Sequence, residues 1–266
     1  MSIVDFHSRD EKLLIESYLT KGYIILDVKN LNSLNILRET LINLISANLN
    51  TNIKDANKLL DGFHKNNSIS DLNIFRMNLI NEINKEPEFR FHYYQVFKDG
   101  LDLIVGNELV MQKQVNLSIQ IPNDESSLLD IHADTWSGDS PYEVVGWLPF
   151  VNCRESKSMF ILPPKYAQDL DQNFEEIKSN PSLSLYSLIE SKLDWININY
   201  GQILIFNQCL PHGNIVNKID ETRWTMNCRF KNIFSPYSEK DLGGFFHPIT
   251  LKPASTIGMN YKLPNT

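Results

Sequence analysis

The feature that most constrains the fold is a change of pattern near Gln112. Beyond it the apolar residues fall in short runs rich in Val, Ile, Phe and Trp, and these runs are separated by Pro, Gly, Asn and Asp. Short runs of β-forming residues bounded by turn residues are typical of antiparallel sheets. The clearest predicted strands span residues 115–121, 144–151, 159–162, 203–206 and 224–230. The pattern favours a mainly β fold with flanking α-helices, whose core is a double-stranded β-helix, the jelly-roll or cupin-like barrel.

Residues 1–110 carry a pattern that is typical of helices instead. Apolar residues recur at helical spacing over 11–19 and from Leu34 to Ile45, and Ser33 is expected to cap the second of these helices. Two more helices are expected around 69–85 and 89–105, a short strand over 23–28, and a helical insertion at about 165–193. The chain of 266 residues is expected to form one domain (1–266), in which the mainly helical region 1–110 packs on the core 111–266.

The balance of charge restricts the partners. The chain has 25 basic and 32 acidic residues and a formal net charge of -7, which opposes a broad nucleic-acid or anionic-membrane surface. No secretory signal is expected, and no stretch approaches the roughly 18 apolar residues of a membrane helix. Three dispersed cysteines are typical of reduced thiols. We expect a cytoplasmic protein that binds a small molecule, with its oligomeric state left open.

A metal site is suggested by His132-Ala133-Asp134, the one His-x-Asp in the sequence. In extended structure two side chains separated by one residue point to the same face, so this pair can share one ion. The motif is short, and in many chains such an Asp only holds a surface His. Two His and one carboxylate on one face, however, are the ligands of ferrous sites that keep coordination positions free.

The second imidazole of such a site has to come from a later strand that lies beside the first. His212 meets this need, because it follows the apolar run 203–206 and lies in the turn-like segment Pro211-His212-Gly213-Asn214. The predicted metal ligands, and with them the catalytic centre, are therefore His132, Asp134 and His212.

A candidate anion anchor follows His212. Arg223 and Thr225 lie on one face of a predicted strand, where a guanidinium and a hydroxyl can together bind the carboxylate of a cosubstrate. The alternative for Arg223 is a surface ion pair with a neighbouring acidic residue. Asn116 and Gln120 share a face of the strand that precedes the His-x-Asp motif, where they could bond the cosubstrate or meet solvent.

Four further residues are candidates for contact with a substrate. Lys157 and Ser158 could bind a carboxylate or phosphate, although a lysine in this position is often solvated. Arg229 shares the face of Arg223 and could bind substrate or form a structural ion pair. Trp136 could form a wall of the substrate site.

In their order along the chain, the His-x-Asp, the distal His and the Arg-x-Thr resemble the Fe(II)/2-oxoglutarate-dependent oxygenase superfamily. The likeness covers roughly the second half of the chain. The segment Gly22-Tyr23-Ile24-Ile25-Leu26 is similar to the lead-in of the phytanoyl-CoA hydroxylase branch. A narrower resemblance, to oxygenases of sporadically distributed bacterial carbohydrate-biosynthesis clusters, rests on segments 140–145, 147–149, 157–163 and 234–237.

The resemblance implies a non-haem iron dioxygenase. Fe(II) would be held by the predicted ligands, 2-oxoglutarate would chelate it while Arg223 and Thr225 anchor the far carboxylate, and O2 would be the oxidant. The expected reaction is oxidation of a C–H bond, by hydroxylation, of a small polar metabolite related to a sugar or nucleotide sugar. Two rivals stay open: a barrel isomerase or epimerase that uses a divalent metal without oxygen chemistry, and a non-catalytic sugar-binding barrel.

Overall fold

The computed structural model describes residues 6–50, 55–66, 71–172 and 185–264. The strands are β1 (Tyr23–Asp27), β2 (Leu109–Gln112), β3 (Asn116–Gln120), β4 (Val144–Pro149), β5 (Phe160–Ile161), β6 (Asp194–Trp195), β7 (Gln202–Asn207), β8 (His212–Gly213), β9 (Arg223–Asn232) and β10 (Phe246–Pro248). The α-helices are α1 (Arg9–Lys21), α2 (Leu31–Leu49), α3 (Ala56–Asp61), α4 (Phe63–Asn66), α5 (Leu72–Ile83), α6 (Phe89–Ile104), α7 (Pro164–Gln172), α8 (Leu185–Ile189) and α9 (Pro253–Asn260).

The strands form two antiparallel sheets. The larger has the order β1-β7-β4-β9-β2-β10, and β3 also pairs with β9. The smaller has the order β6-β5-β8. Strands that are consecutive in the sequence are seldom adjacent in the larger sheet, and this topology is that of a jelly roll. The predicted mainly β fold with flanking helices is confirmed, and each of the five predicted core strands is present with ends shifted by a few residues.

Strand β9 separates the core from the site because its two faces differ in chemistry. Its even-numbered residues, Trp224, Met226, Cys228 and Phe230, are apolar and fully buried. Its odd-numbered residues are polar over the same stretch and begin with Arg223. Because side chains alternate across a strand, one face can pack in the core while the other lines a polar cavity.

Helices α2, α5 and α6 pack together against the larger sheet. Tyr93 of α6 fastens the helices to the strands, since its hydroxyl donates to the carbonyls of Gly146 (2.9 Å) and Met226 (3.1 Å). The predicted helices near 69–85 and 89–105 are present as α5 and α6. No helix of the described residues has both the length and the apolar character that crossing a bilayer requires.

One local prediction, the N-cap of α2, is wrong. Ser33 does not cap α2: the helix begins at Leu31, two residues before Ser33, and the side chain of Asn30 accepts a hydrogen bond from the Ser33 amide at 3.0 Å. Asn is a strong N-cap because its side-chain oxygen satisfies an amide of the first turn. The helical insertion appears as α7 and α8, and its residues 173–184 lie outside the described ones.

Candidate metal centre and anion-binding cavity

His132 and His212 lie directly opposite each other as an antiparallel bridge. The His132 amide donates to the His212 carbonyl at 3.1 Å, and the His212 amide donates to the His132 carbonyl at 2.9 Å. Residues paired in this way project their side chains to the same face. The two imidazole rings are accordingly neighbours, with centroids 4.4 Å apart.

Backbone carbonyls select the tautomer of both rings. Nδ1 of His132 lies 2.7 Å from the Asp130 carbonyl, and Nδ1 of His212 lies 2.8 Å from the Leu210 carbonyl. A carbonyl oxygen only accepts, so each Nδ1 has to carry the proton. Each Nε2 then presents a lone pair, which is the arrangement found in metal-binding histidines.

Asp134 completes the donor set at the start of a short 3-10 turn. Its amide donates to the Gln208 carbonyl at 3.0 Å, which ties the turn to the segment before His212. One ligand atom from each of His132, Asp134 and His212 lies within 4.8 Å of the other two. Two imidazoles and a carboxylate converging on one point suit Fe(II), because the remaining coordination positions stay open.

Burial keeps His212 neutral. Removal from water lowers its pKa to about 4, an effect that Asp134 opposes and His132 reinforces. The imidazolium form is disfavoured because a buried charge loses its hydration. At neutral pH a metal ion therefore has no proton to displace from this ring.

Arg223 is a buried cation without an acidic partner in the described residues of the chain. Its Nη1 donates to the Ser158 carbonyl at 3.0 Å and its Nη2 to the Ser118 hydroxyl at 3.2 Å. Its Nε and the Thr225 hydroxyl are buried and have no hydrogen-bond partner in the part of the chain that the structure describes. Burial lowers the pKa of Arg223 to about 10, so the group stays charged at neutral pH. A buried charge held only by neutral groups is costly, and an anionic ligand would relieve that cost.

The metal ligands and Arg223 line one cavity, which we call the metal cavity and which has a volume of about 190 Å³. Asn227 and Arg229 reach the same cavity from β9. The remaining lining residues are Ser118, Leu129, Val145, Trp147, Met159, Phe206, Gly213 and Asn214.

The other two predicted cosubstrate contacts, Gln120 and Asn116, are held by hydrogen bonds within the protein. Gln120 is 0% exposed, which excludes the solvent-facing alternative, and its Nε2 donates to the Ile215 carbonyl at 2.7 Å. Its Oε1 is buried and has no hydrogen-bond partner among the residues that the structure describes. Asn116 donates from Nδ2 to Asn227 Oδ1 at 3.2 Å. Neither Gln120 nor Asn116 lines the metal cavity itself.

Lys157 and Ser158 lie outside the metal cavity, contrary to their suggested contact with a substrate. Lys157 is also not solvated: its side chain is 0% exposed, and its Nζ lies 2.7 Å from both Asp61 Oδ1 and Glu221 Oε2. The Ser158 hydroxyl donates to the Ile196 carbonyl at 2.6 Å. The side chains of Lys157 and Ser158 therefore form ion pairs and a hydrogen bond, respectively, within the protein. Trp136 is also absent from the cavity wall and packs against the core.

Arg229 combines a structural ion pair with a place in the cavity wall. Its Nη2 lies 2.9 Å from Asp134 Oδ1 and 3.2 Å from Asp139 Oδ2, and its Nε donates to Gln208 Oε1 at 2.9 Å. The guanidinium thus holds the carboxylate ligand, as outer partners of metal ligands commonly do. Neither Asp139 nor Gln208 was expected in this role, because the contacts are remote in sequence.

Asn214 is a further residue that the sequence reasoning missed. Its Oδ1 accepts from the Leu129 amide at 2.8 Å and its Nδ2 donates to the Ser127 carbonyl at 3.3 Å. It thereby joins the segment that leads into His132 to the strand that carries His212. The signal was present in the sequence, since Asn214 follows the distal His by two residues and so shares its face.

No family model matches the chain, and no curated protein matches it. Solved structures do. HygX from Streptomyces hygroscopicus, with nickel and 2-oxoglutarate bound, is 11% identical, with 87% of this chain and 89% of that chain covered and a TM-score of 0.53. EctD from S. alaskensis with bound Fe is 13% identical, with 89% and 80% covered and a TM-score of 0.54.

A third structure, the nickel complex of the non-haem monooxygenase ThoJ, is 14% identical, with 91% of this chain and 85% of that chain covered and a TM-score of 0.50. At identities this low the likeness shows a shared fold. The chain therefore has the double-stranded β-helix fold of these metal-binding proteins, with the His-Asp-His cluster described above.

Proposed function

We propose that the protein is an Fe(II)- and 2-oxoglutarate-dependent oxygenase that hydroxylates a C–H bond of a small polar metabolite. One observation carries the proposal: a two-His, one-carboxylate donor set lines the same cavity as a buried arginine that has no acidic partner among the described residues. When bound, iron and 2-oxoglutarate together supply the oxidation chemistry, which side chains alone lack.

The donor set fits iron. His132 and His212 each offer Nε2, because Nδ1 is bonded to a backbone carbonyl. Asp134 adds a hard oxygen donor, and Arg229 holds its Oδ1 at 2.9 Å. Imidazole nitrogens with one carboxylate suit Fe(II) and leave positions for a chelating cosubstrate and oxygen.

The far side of the metal cavity fits a dicarboxylate. Arg223 lines the cavity and offers a positive charge together with an Nε that has no partner among the described residues. Thr225, two residues further along β9, does not line the cavity, but its buried hydroxyl also has no partner in the described part of the chain. A carboxylate would restore the bonds that these buried groups lack and would neutralise the guanidinium. Thr225 and Arg223 would therefore anchor and orient 2-oxoglutarate, with Ser118 fixing the guanidinium at 3.2 Å.

The remaining residues exclude water and hold the metal ligands. Val145, Trp147, Met159 and Phe206 give the metal cavity an apolar wall. Exclusion of water strengthens electrostatic interactions inside the site and protects reactive species. Arg229 keeps the Asp134 carboxylate in one orientation through its bonds to Gln208 and Asp139.

The HygX structure holds nickel and 2-oxoglutarate, and the EctD structure holds Fe. Both proteins have the same fold as this chain. The proposal of a sugar or nucleotide-sugar substrate rests on the resemblance of segments 140–145, 147–149, 157–163 and 234–237. The proposal of a cytoplasmic location rests on the three dispersed cysteines. The isomerase and sugar-binding alternatives give no role to Arg223, which is buried without an acidic partner in the described segments.

The test is anaerobic titration of the protein with Fe(II) and then 2-oxoglutarate, followed by the weak visible charge-transfer band of the chelate. The wild-type protein is expected to form the band and to release succinate once oxygen is admitted. His212→Ala should not form the band. Arg223→Gln should bind the metal normally but bind 2-oxoglutarate about 10- to 100-fold more weakly, which corresponds to losing one charge-assisted interaction.

Arg9→Gln serves as the matched control, because it removes an arginine that is exposed on α1 and should leave both titrations unchanged. If the wild-type protein binds Fe(II) but shows no band at saturating 2-oxoglutarate, the proposed cosubstrate is wrong. If the band forms equally in His212→Ala, the proposed ligand set is wrong.

A further inference from the structure

The metal cavity is too small for everything an oxygenase has to bind. Its volume is about 190 Å³, whereas pockets for a single small-molecule ligand are usually about 300–1,000 Å³. A dicarboxylate cosubstrate chelating the metal would occupy much of that space. The primary substrate therefore has to extend beyond the metal cavity.

A second cavity, which we call the annex, adjoins it. The annex has a volume of about 370 Å³ and shares Ser118, Leu129 and Asn227 with the metal cavity. None of the three metal ligands lines the annex, and neither does Arg223. A cosubstrate that binds both the metal and Arg223 would lie in the metal cavity, because that cavity contains both. The annex therefore remains available for another ligand.

Arg76 of α5 gives the annex a positive charge. Its Nη2 donates to Asn73 Oδ1 at 2.7 Å and its Nη1 to the Leu117 carbonyl at 3.3 Å. Both acceptors are neutral, and no carboxylate in the described residues forms an ion pair with Arg76. Arg76 is half-buried, so solvent screens its charge incompletely.

The free edge of β3 adds backbone donors. Asn84 satisfies both the amide and the carbonyl of Val115, at 2.8 Å and 3.0 Å, on the side of β3 away from β9. The Leu117 carbonyl meets Arg76 on that same side. In an antiparallel strand the amide and carbonyl of one residue point the same way, and the direction repeats every second residue. The amides of Leu117 and Ile119 therefore face the annex, which these two residues line.

A side-chain hydroxyl completes this set of donors. Ser127 lines the annex, and its Oγ is buried without a hydrogen-bond partner within the described ranges. A buried polar group that lacks a partner costs free energy unless a ligand or water satisfies it. One cation, two strand-edge amides and a free hydroxyl together match an anionic group that is rich in oxygen.

We propose that the annex binds a carboxylate or phosphate group of the primary substrate, with Arg76 as its counter-charge. This inference rests on the proposed function, because it assigns the annex to the substrate by giving the metal and Arg223 to the cosubstrate. The reacting carbon would lie toward Ser118 and Asn227, where the two cavities meet.

The test uses the full chain loaded with Zn(II), which prevents turnover, and saturated with 2-oxoglutarate so that Arg223 is occupied. Inorganic phosphate and acetate are titrated separately by calorimetry, and the comparison of the two separates a phosphate site from a carboxylate site. At least one of them is expected to bind at a single site. Arg76→Gln should weaken that binding at least tenfold, Arg76→Lys should restore some of it, and Arg9→Gln should leave it unchanged.

A parallel titration of 2-oxoglutarate should be the same in all four proteins. Absence of binding by both anions, or equal binding to the wild-type protein and Arg76→Gln, would overturn the assignment. The Arg223→Gln protein provides a second measurement without 2-oxoglutarate. Anion binding there that depends on Arg76 would support the annex even if 2-oxoglutarate fails to bind and the proposed function falls.

Discussion

Protonation of His212 links the stability of the metal-free protein to pH. The side chain is buried in the folded state, where its pKa is lowered to about 4, whereas an unfolded histidine titrates near 6.5. Between these two pKa values His212 binds a proton in the unfolded chain but stays neutral in the folded protein. The stability contributed by neutral His212 is thus fully present above pH 6.5 and is lost as the pH falls toward 4.

The size of the effect follows from the shift. Each unit of pKa difference corresponds to about 1.4 kcal/mol, so the full loss is about 3 kcal/mol. Between pH 7 and pH 5 the titration is incomplete, and the expected loss is about 2 kcal/mol. This window lies above the range in which the carboxylates that form ion pairs, such as Glu221, whose pKa is lowered by its bond to Lys157, begin to protonate.

The assay is urea unfolding of the wild-type protein and of His212→Gln in the presence of a chelator at pH 7, 6 and 5. The variant keeps a polar side chain of similar length but does not titrate. The difference in unfolding free energy between the two proteins is expected to shrink by about 2 kcal/mol from pH 7 to pH 5. Parallel losses in the two proteins would refute the idea that burial holds His212 neutral.

Three further changes test the packing around the site. Lys157→Met removes a buried charge whose two carboxylate partners can regain water, and it should cost about 1–3 kcal/mol of unfolding free energy in urea titrations. Gly146→Ala would bring a methyl group to 3.0 Å from the Phe97 ring, and it should lower stability by about 1–3 kcal/mol in the same assay. Asn214→Ala removes the acceptor of the Leu129 amide and so loosens the segment that leads into His132. The variant should bind Fe(II) about tenfold more weakly in competition with a chelator.

The strands and their faces could be predicted from the sequence because they depend on local alternation. Arg223, Asn227 and Arg229 line one cavity because they are separated by even numbers of residues along β9. The sequence could not predict the annex, since its walls come from α5, from the edge of β3 and from residues 126–129. These elements meet only when the helices pack against the sheet.

Lys157 illustrates the same limit. A lysine beside a short strand is expected in solvent, but here Asp61 and Glu221 meet it from segments that lie 96 and 64 residues away. No local pattern reports such a pairing, because the energy that permits burial of the charge comes from contacts that form only on folding.

The residue types by themselves determined that the chain can build a mainly β barrel and that His132, Asp134, His212 and Arg223 have the chemistry for a metal and an anion. Tertiary structure alone decided that His132 and His212 lie opposite each other, that Arg223 is buried without an acidic partner among the described residues, and that a cavity at Arg76 opens beside them. The physical reason is range: alternation along a strand is a property of neighbouring residues, whereas register between strands and burial of charge arise from segments far apart in the chain.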